Sequence, residues 1–437
     1  MEEEKKKGKL FNKDFFLLWQ GQLVSHIGTQ ACNIAMMFWI KHITGSATLM
    51  GLVMMAVMLP SVILGPVGGT IADRISRKKI IVLGDIINGL FVIGLAFLMF
   101  NFPERTNLLL VAIFIVAIIW GIVGAFFRPS ITASIPDVVT EEKVQAANSM
   151  NQLSIQLSTF IGQGIGGLFF RILGAPMMFL VDGITYLFSS FSESFIEIPQ
   201  KLPDQSKGVR QIFSSIKSDL IEGFYYVWNN RGMRNVFLLI AIFNFFTMPI
   251  IILLPFYVEN YLGVSVDWYG YIIASYGIGS IFGYAAAGGF KLSGNKQRNL
   301  IIFGFVISGL IFAVTVFTKI PLVSSLLFFL FGILTGFITV NILSILQLST
   351  PADKRGRVFG FYQTFAASIS PIAMGFSGVI FDMINHNIKF IFLFCGLIVS
   401  FITIIVSLDK DFRDFLSFES EKNMKDIDME KGFTEKI

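Results

Sequence analysis

Three features of this chain predict an all-α integral membrane protein with twelve transmembrane helices in two six-helix bundles. Apolar residues make up 54% of the sequence and charged residues only 14%, where an ordinary soluble domain carries about a quarter charged. The apolar residues gather into stretches near 15–40, 48–72, 80–102, 108–128, 147–170, 177–198, 236–258, 266–290, 300–318, 321–347, 358–381 and 389–408. Most hold roughly 20 residues, enough for a helix to cross a ~30 Å hydrocarbon core. The third feature is the distribution of cations. Of the 34 lysines and arginines, 29 fall on one set of alternate connections; the other set holds Lys41, Arg105, Arg171, Lys319 and Lys389. The positive-inside rule then puts both termini in the cytoplasm and the chain in the cell membrane as a multi-pass protein, with the lipid bilayer as its first partner.

The same distribution excludes other classes. The net charge of +5 is spread over short loops, so it reports topology and no nucleic-acid partner is expected. Cys32 and Cys395 are single residues within apolar spans, so neither a disulfide framework nor a metal site is expected. Met1 to Asp14 lacks a short apolar core with a cleavage site, so no removable signal peptide is expected and the first span is read as the membrane address.

The longest connection divides the spans into six and six. The domains expected are 1–198, an N-terminal bundle; 199–235, a cytoplasmic linker; 236–408, a C-terminal bundle; and 409–437, a cytoplasmic tail of mixed charge. Within the linker, Val209, Ile212, Phe213, Ile216, Leu220 and Phe224 recur at helical spacing against charged residues. This pattern suggests an amphipathic helix on the membrane surface, a solvated linker being the alternative. Ser134-Ile-Pro136-Asp137 after the fourth span is echoed by Ser349-Thr-Pro351-Ala-Asp353 after the tenth, and basic turns follow the second and eighth spans. The echo points to duplication, and parallel repeats of this kind put a binding site between the halves near the midplane.

In the first span Gln22, His26, Gln30 and Asn33 follow i, i+4, i+8, i+11 and so share one helical face. At the seam of the second and third spans the chain reads Gly68-Gly69-Thr-Ile-Ala-Asp73-Arg74-Ile-Ser76-Arg77-Lys78-Lys79. This resembles the G-x-x-x-D-R-x-G-R-[RK] loop of the major facilitator superfamily, with Ser76 where the family usually has Gly. Together with twelve spans divided six and six, the resemblance covers nearly the whole chain. The stretches from Ile135-Pro136-Asp137 to Ala147-Asn148, Asp182-Gly-Ile-Thr-Tyr186, Ile221 to Asn229 and Arg355-Gly356-Arg357-Val358 are similar to the macrolide-efflux branch and its relatives among drug:proton antiporters. The resemblance implies that Gly69, Asp73, Arg74, Arg77 and Lys78 form a cytoplasmic gate motif. Asp73 and Arg77 are expected to act as a latch toward the start of the eleventh span, near Arg355 to Val358, favouring an outward-facing state. For Lys78 and Lys79 the plain reading is that they obey the charge rule.

The fourth span has no mid-membrane arginine, since Arg128 stands at its end. In the fifth span Gln152, Gln156, Thr159 and Gln163 repeat the spacing of the first. Gly162-Gln163-Gly164-Ile-Gly166-Gly167 resembles the G-P-x-x-G-G element of antiporter branches, with Gln163 in place of proline. Lipid penalises polar stripes, so both face protein or a water-filled cavity. The resemblance implies that these two spans border a central substrate cavity. The second half adds Asn244, Tyr276, Thr335, Thr339 and Gln363 as candidates. For all of them, hydrogen bonding between helices is the competing role.

No lysine or arginine lies at the depth of this cavity, which disfavours anionic cargo, while 48 phenylalanines and 17 methionines provide pliable apolar surface. The function expected is secondary active export of hydrophobic or amphipathic compounds resembling macrolides. The expected mechanism is alternating access, in exchange for protons, by a chain working as a monomer. A siderophore exporter or a lysophospholipid transporter of the same superfamily is the alternative. His26, the titratable group near the midplane, and Asp182 in the sixth span are the candidates for proton coupling. No enzyme, cofactor or catalytic residue is expected, because the three histidines have no ligand spacing and the glycine-rich runs lie inside apolar spans.

Overall fold

The computed structural model describes residues 10–200, 221–289 and 294–417. Among these residues there are helices and no strands. The long helices are α1 (Lys13–Thr44), α2 (Ala47–Arg74), α3 (Arg77–Asn101), α4 (Thr106–Val138) and α5 (Val144–Ser194). After a short α6 over 221–229 come α7 (Arg231–Phe256), α8 (Asp267–Gly289), α9 (Gly294–Thr315), α10 (Pro321–Ser349), α11 (Ala352–Met383), α12 (Ile388–Ser407) and a short α13 (Lys410–Leu416). Ten helical stretches among the described residues are long and apolar enough to cross a membrane. One of these includes all of α5, which is broken at Gly174 (φ 72°, ψ 163°), a backbone that favours glycine, two residues before Pro176. The broken helix therefore comprises two arms, matching the expected fifth and sixth spans. Helix α1 has the length, at 32 residues, but its polar stripe keeps it outside the ten.

Local chemistry sets the helix starts. The Asn12 side chain accepts from Phe15 N at 2.9 Å to cap α1, Ser46 Oγ accepts from Leu49 N at 3.2 Å to cap α2, and Asn230 Oδ1 accepts from Met233 N at 3.0 Å to cap α7. Gly45, in the left-handed region at φ 65°, ends α1. Pro321 occupies the first turn of α10, where the missing N–H costs nothing.

Contacts group the chain into two compact units. The first comprises Met1–Ile216, Ile251–Ala274 and Ser370–Asn387; the second comprises Lys217–Ile250, Ser275–Ile369 and Ile388–Ile437. This grouping differs from a simple division into sequence halves, because the end of α7, the start of α8 and the end of α11 pack against the N-terminal helices. The first unit has a core of Phe15, Leu18, Ile81, Phe127, Ile131, Ile135 and Val138. The second is built on Met233, Val236, Phe237, Ile301, Phe305, Ile342 and Val358. Helix α13 docks Phe412 and Leu416 into that second core, so the expected tail begins with a packed element. The outer faces of the long helices carry exposed Phe97, Phe100, Phe191, Phe303, Leu322 and Phe401, as a lipid-facing surface should. Of the linker helix expected over 209–224, residues 221–224 form the start of α6, and 209–220 lie outside the described residues.

Candidate functional site

The polar stripe of α1 separates according to what each residue meets. Gln30 Nε2 donates to Thr159 Oγ1 at 3.4 Å, and Gln163 Nε2 donates to Gln30 Oε1 at 3.1 Å, so the stripes of α1 and the first arm of α5 bond to each other. His26 is half-buried between Gln22 and Gln30, and Gln156 stays exposed. The Asn33 Oδ1 atom is buried without a hydrogen-bond partner. Gln22 turns elsewhere. It is buried, and its Nε2 donates to Glu193 Oε1 at 2.6 Å on the second arm of α5.

In the second unit Asn244, Thr335 and Thr339 come together with Phe243, Phe305 and Tyr362 around a recess of about 100 Å³. Tyr276 contacts Thr335 and stacks on Phe331 with ring centroids 5.5 Å apart. Gln363 is exposed one residue along from Tyr362 and is not part of this lining. The described lining holds aromatic rings, aliphatic chains and three neutral hydrogen-bonding side chains besides tyrosine, and no charge. Pockets for drug-sized ligands measure about 300–1,000 Å³, so this recess has room for only part of such a molecule.

A second polar group lies inside the first unit. Asp85 on α3 and Glu193 on α5 are each 1% exposed, and Asp182 on α5 is fully buried. Asp182 Oδ1 lies 3.3 Å from Thr29 Oγ1 and 3.5 Å from Thr185 Oγ1, each able to donate to it, and Tyr186 OH lies 2.8 Å from the same Thr29 hydroxyl, to which it can donate in turn. A Cβ at Gly28 would stand 2.6 Å from Asp182 Oδ1, so glycine is what lets α1 approach this carboxyl. Asp182, Tyr186, Ser189 and Glu193 follow i, i+4, i+7, i+11 and line one face. The periodicity test that finds the stripe of α1 finds this one too; reading each acid separately misses it.

The loop motif forms a clamp within the first unit. Arg77 donates from Nη1 to Ala133 O at 2.8 Å and Asp137 Oδ2 at 2.5 Å, and from Nε to Ala72 O at 3.2 Å. It thereby ties the end of α2 and the start of α3 to the end of α4, joining the loop motif to the Ser-Ile-Pro-Asp element. The Asp73 side chain lies outside what the structure describes. Arg74 and Lys78 are part-exposed on the same turn, Gly69 is half-buried in α2, and no Cβ at Gly69 would meet a neighbour within 4 Å.

Around the α1–α2 turn the first unit gathers three polar contacts that the sequence did not signal. Lys41 is paired with Glu259, which also meets His42 Nε2 at 2.9 Å. The charge pattern puts Lys41 on a connection between spans; it is instead 7% exposed inside α1, because the helix continues to Thr44 and the pairing offsets the burial. Asp382 at the end of α11 accepts from Ser46 Oγ, Ala47 N and Thr48 N at 2.8, 3.0 and 2.9 Å. Arg171 meets Asp267 at 3.2 Å. Each pair is separated by more than ninety residues, so local pattern carries no sign of it.

Residues 18–375 match the family model described as Major Facilitator Superfamily. The chain belongs to that superfamily. Relatives within it include macrolide efflux protein A of Streptococcus pyogenes, 24% identical over 403 residues, which cover 91% of this chain and 96% of the relative. The multidrug efflux pump Tap of Mycolicibacterium fortuitum is 23% identical, covering 89% and 95%. A crystal structure of a mutant of the nucleoside transporter NupG superposes with a TM-score of 0.67 at 13% identity, over 93% of this chain and all of that one. The likeness to that structure is one of fold. As a major facilitator protein the chain is a multi-pass membrane transporter, and the recess and buried carboxyls are features of a transporter's helices.

Proposed function

We propose that the protein exports hydrophobic or amphipathic compounds, macrolide-like molecules among them, across the cell membrane by alternating access in exchange for protons. The observation that carries this reading is the recess of Phe243, Asn244, Phe305, Thr335, Thr339 and Tyr362. Rings and aliphatic chains provide apolar contact, and neutral amide and hydroxyl groups orient a ligand without demanding charge. The names of the macrolide and multidrug efflux relatives point to the same cargo class. Both termini in the cytoplasm accord with the charge bias, and the chain is proposed to work as a monomer. Within the first unit, Gln30, Asn33, Gln156 and Gln163 are the further candidates for polar contact with cargo, and His26 or Asp182 for exchanging the proton.

The test uses inside-out membrane vesicles energised to acidify their lumen and followed with a pH-sensitive dye. Macrolides, other lipophilic drugs, a catecholate siderophore and a lysophospholipid are added in turn. Alkalinisation by macrolides or lipophilic drugs, absent without the protein, is the expected result. A response to the siderophore alone would assign the first alternative cargo, and lysophospholipid movement without a pH response would assign the second.

A further inference from the structure

We infer that the Asp85–Glu193 carboxyl pair is a proton-binding site, holding one exchangeable proton between its two side chains. The inference deepens the proton-exchange reading above and rests on it for its role in transport.

Asp85 and Glu193 lie beside each other, with Ser189 next to both. All three are within 1% of complete burial. Gln22 occupies Glu193 Oε1 with an N–H donor, leaving Glu193 Oε2 and Asp85 Oδ2 buried with no hydrogen-bond partner. The Ser189 Oγ atom is likewise buried and unpartnered by hydrogen-bond geometry. Two carboxylates meeting through acceptor atoms satisfy neither; a single proton placed between them makes one a donor and the other an acceptor. Electrostatics acts the same way, because two like charges in contact away from water repel strongly and one carboxyl retains a proton.

The other donor next to the pair is the Ser189 hydroxyl, whose single proton serves at most one of the two acceptors. Among the described residues no ion pair reaches Asp85, Asp182 or Glu193. From α1 the pair receives Gln22; from α5 it receives Ser189, with Asp182 and Tyr186 one to three turns away on the same face. On α3 itself Asn88 is buried with Oδ1 unpartnered. From α4 the nearest atoms at Gly84, the residue beside Asp85, belong to Val123 and Phe127. A neutral shared-proton pair therefore fits this site and a doubly charged pair does not. The pair also touches α1 through Gln22, one turn from His26, which links its charge to the helix carrying the candidate cavity stripe.

The experiment is infrared difference spectroscopy of the reconstituted full chain across a pH range, read in the carboxylic-acid C=O region. The expected result is one pH-dependent component lost in Asp85→Asn and lost equally in Glu193→Gln, with no further loss in the double variant, because both carboxyls hold the same proton. Components lost separately and additively, or left intact in both variants, would overturn the inference. So would a band that answers to sodium at constant pH, which would assign a metal cation. Should Asp85→Asn fail to fold, Glu193→Gln and a band shift in Ser189→Ala carry the test. The spectra need no transported compound, so a silent vesicle assay with the expected band would count against the export reading and leave the proton site standing.

Discussion

Asp382, at the end of α11, completes the cap that Ser46 begins at the start of α2. Its two carboxylate oxygens accept from Ser46 Oγ, Ala47 N and Thr48 N, while His386 Nε2 lies 2.9 Å from Oδ1. A negative charge on the free N–H groups of a helix start is favourable, and here it comes from a helix more than three hundred residues away in sequence. Asp382→Ala should therefore remove about 0.5–2 kcal/mol of stability, the range for a lost helix N-cap. Thermal unfolding of the detergent-solubilised protein is the measurement, and Ser46→Ala should produce a smaller decrease because Asp382 still meets two backbone donors. An unchanged midpoint in Asp382→Ala would reject the cap.

The Lys41–Glu259 pair predicts a pattern that single substitutions cannot mimic. Removing one partner of a buried pair costs about 3–5 kcal/mol, and Glu259, with His42 still beside it, should put Lys41→Ala near the lower end. Replacing both by apolar side chains, Lys41→Met with Glu259→Leu, should recover most of the loss, since no charge is then left unpaired. A double-mutant cycle on thermal stability checks this; a loss in the double variant equal to the sum of the two single losses would show that the two side chains are not coupled.

The glycines of the fifth and eighth expected spans should respond asymmetrically. A Cβ at Gly270 would run into the carbonyl oxygen of Gly164, whereas one at Gly164 meets only the Ala274 Cβ at 3.9 Å. Gly270→Ala should push α8 from α5, with a destabilisation of about 1–3 kcal/mol as overpacking gives, and Gly164→Ala should be nearly neutral. Expression level and unfolding midpoint together distinguish the two, and the reverse ranking would contradict this packing.

The recess of the second unit predicts altered selectivity. Thr339→Val removes a hydroxyl while keeping shape, and Asn244→Ala removes an amide. Each should raise KM for polar-decorated lipophilic drugs several-fold, on the scale of about 1 kcal/mol per hydrogen bond, with a smaller effect on purely apolar ones. Efflux measured across a drug panel reads this directly; uniform losses for all compounds would indicate a packing role instead.

Much of the fold was legible from the chain. Twenty-residue apolar stretches, their cation bias and the contiguous loop motif are local signals, because lipid acts on neighbouring residues. The candidate site was legible only in part. Spacing put Gln30 and Gln163 each on a polar stripe of its own helix, while the bond between the two stripes and the convergence of Asn244, Thr335 and Thr339 emerge only in the structure. Gln22 belongs to the same sequence stripe yet bonds to Glu193, because a stripe on a half-buried helix is wide enough to meet two different neighbours.

By itself the sequence determined the membrane class, the run of helices and the superfamily, since each depends on composition, period or a contiguous motif. Only the tertiary structure decided which polar groups meet: Asp85 with Glu193, Lys41 with Glu259, Asp382 with the start of α2, and Arg77 with Asp137. Those pairings depend on which helices pack together and on how each is rotated about its axis. Rotation is set by side-chain packing summed over whole interfaces, a quantity that no local window of sequence contains.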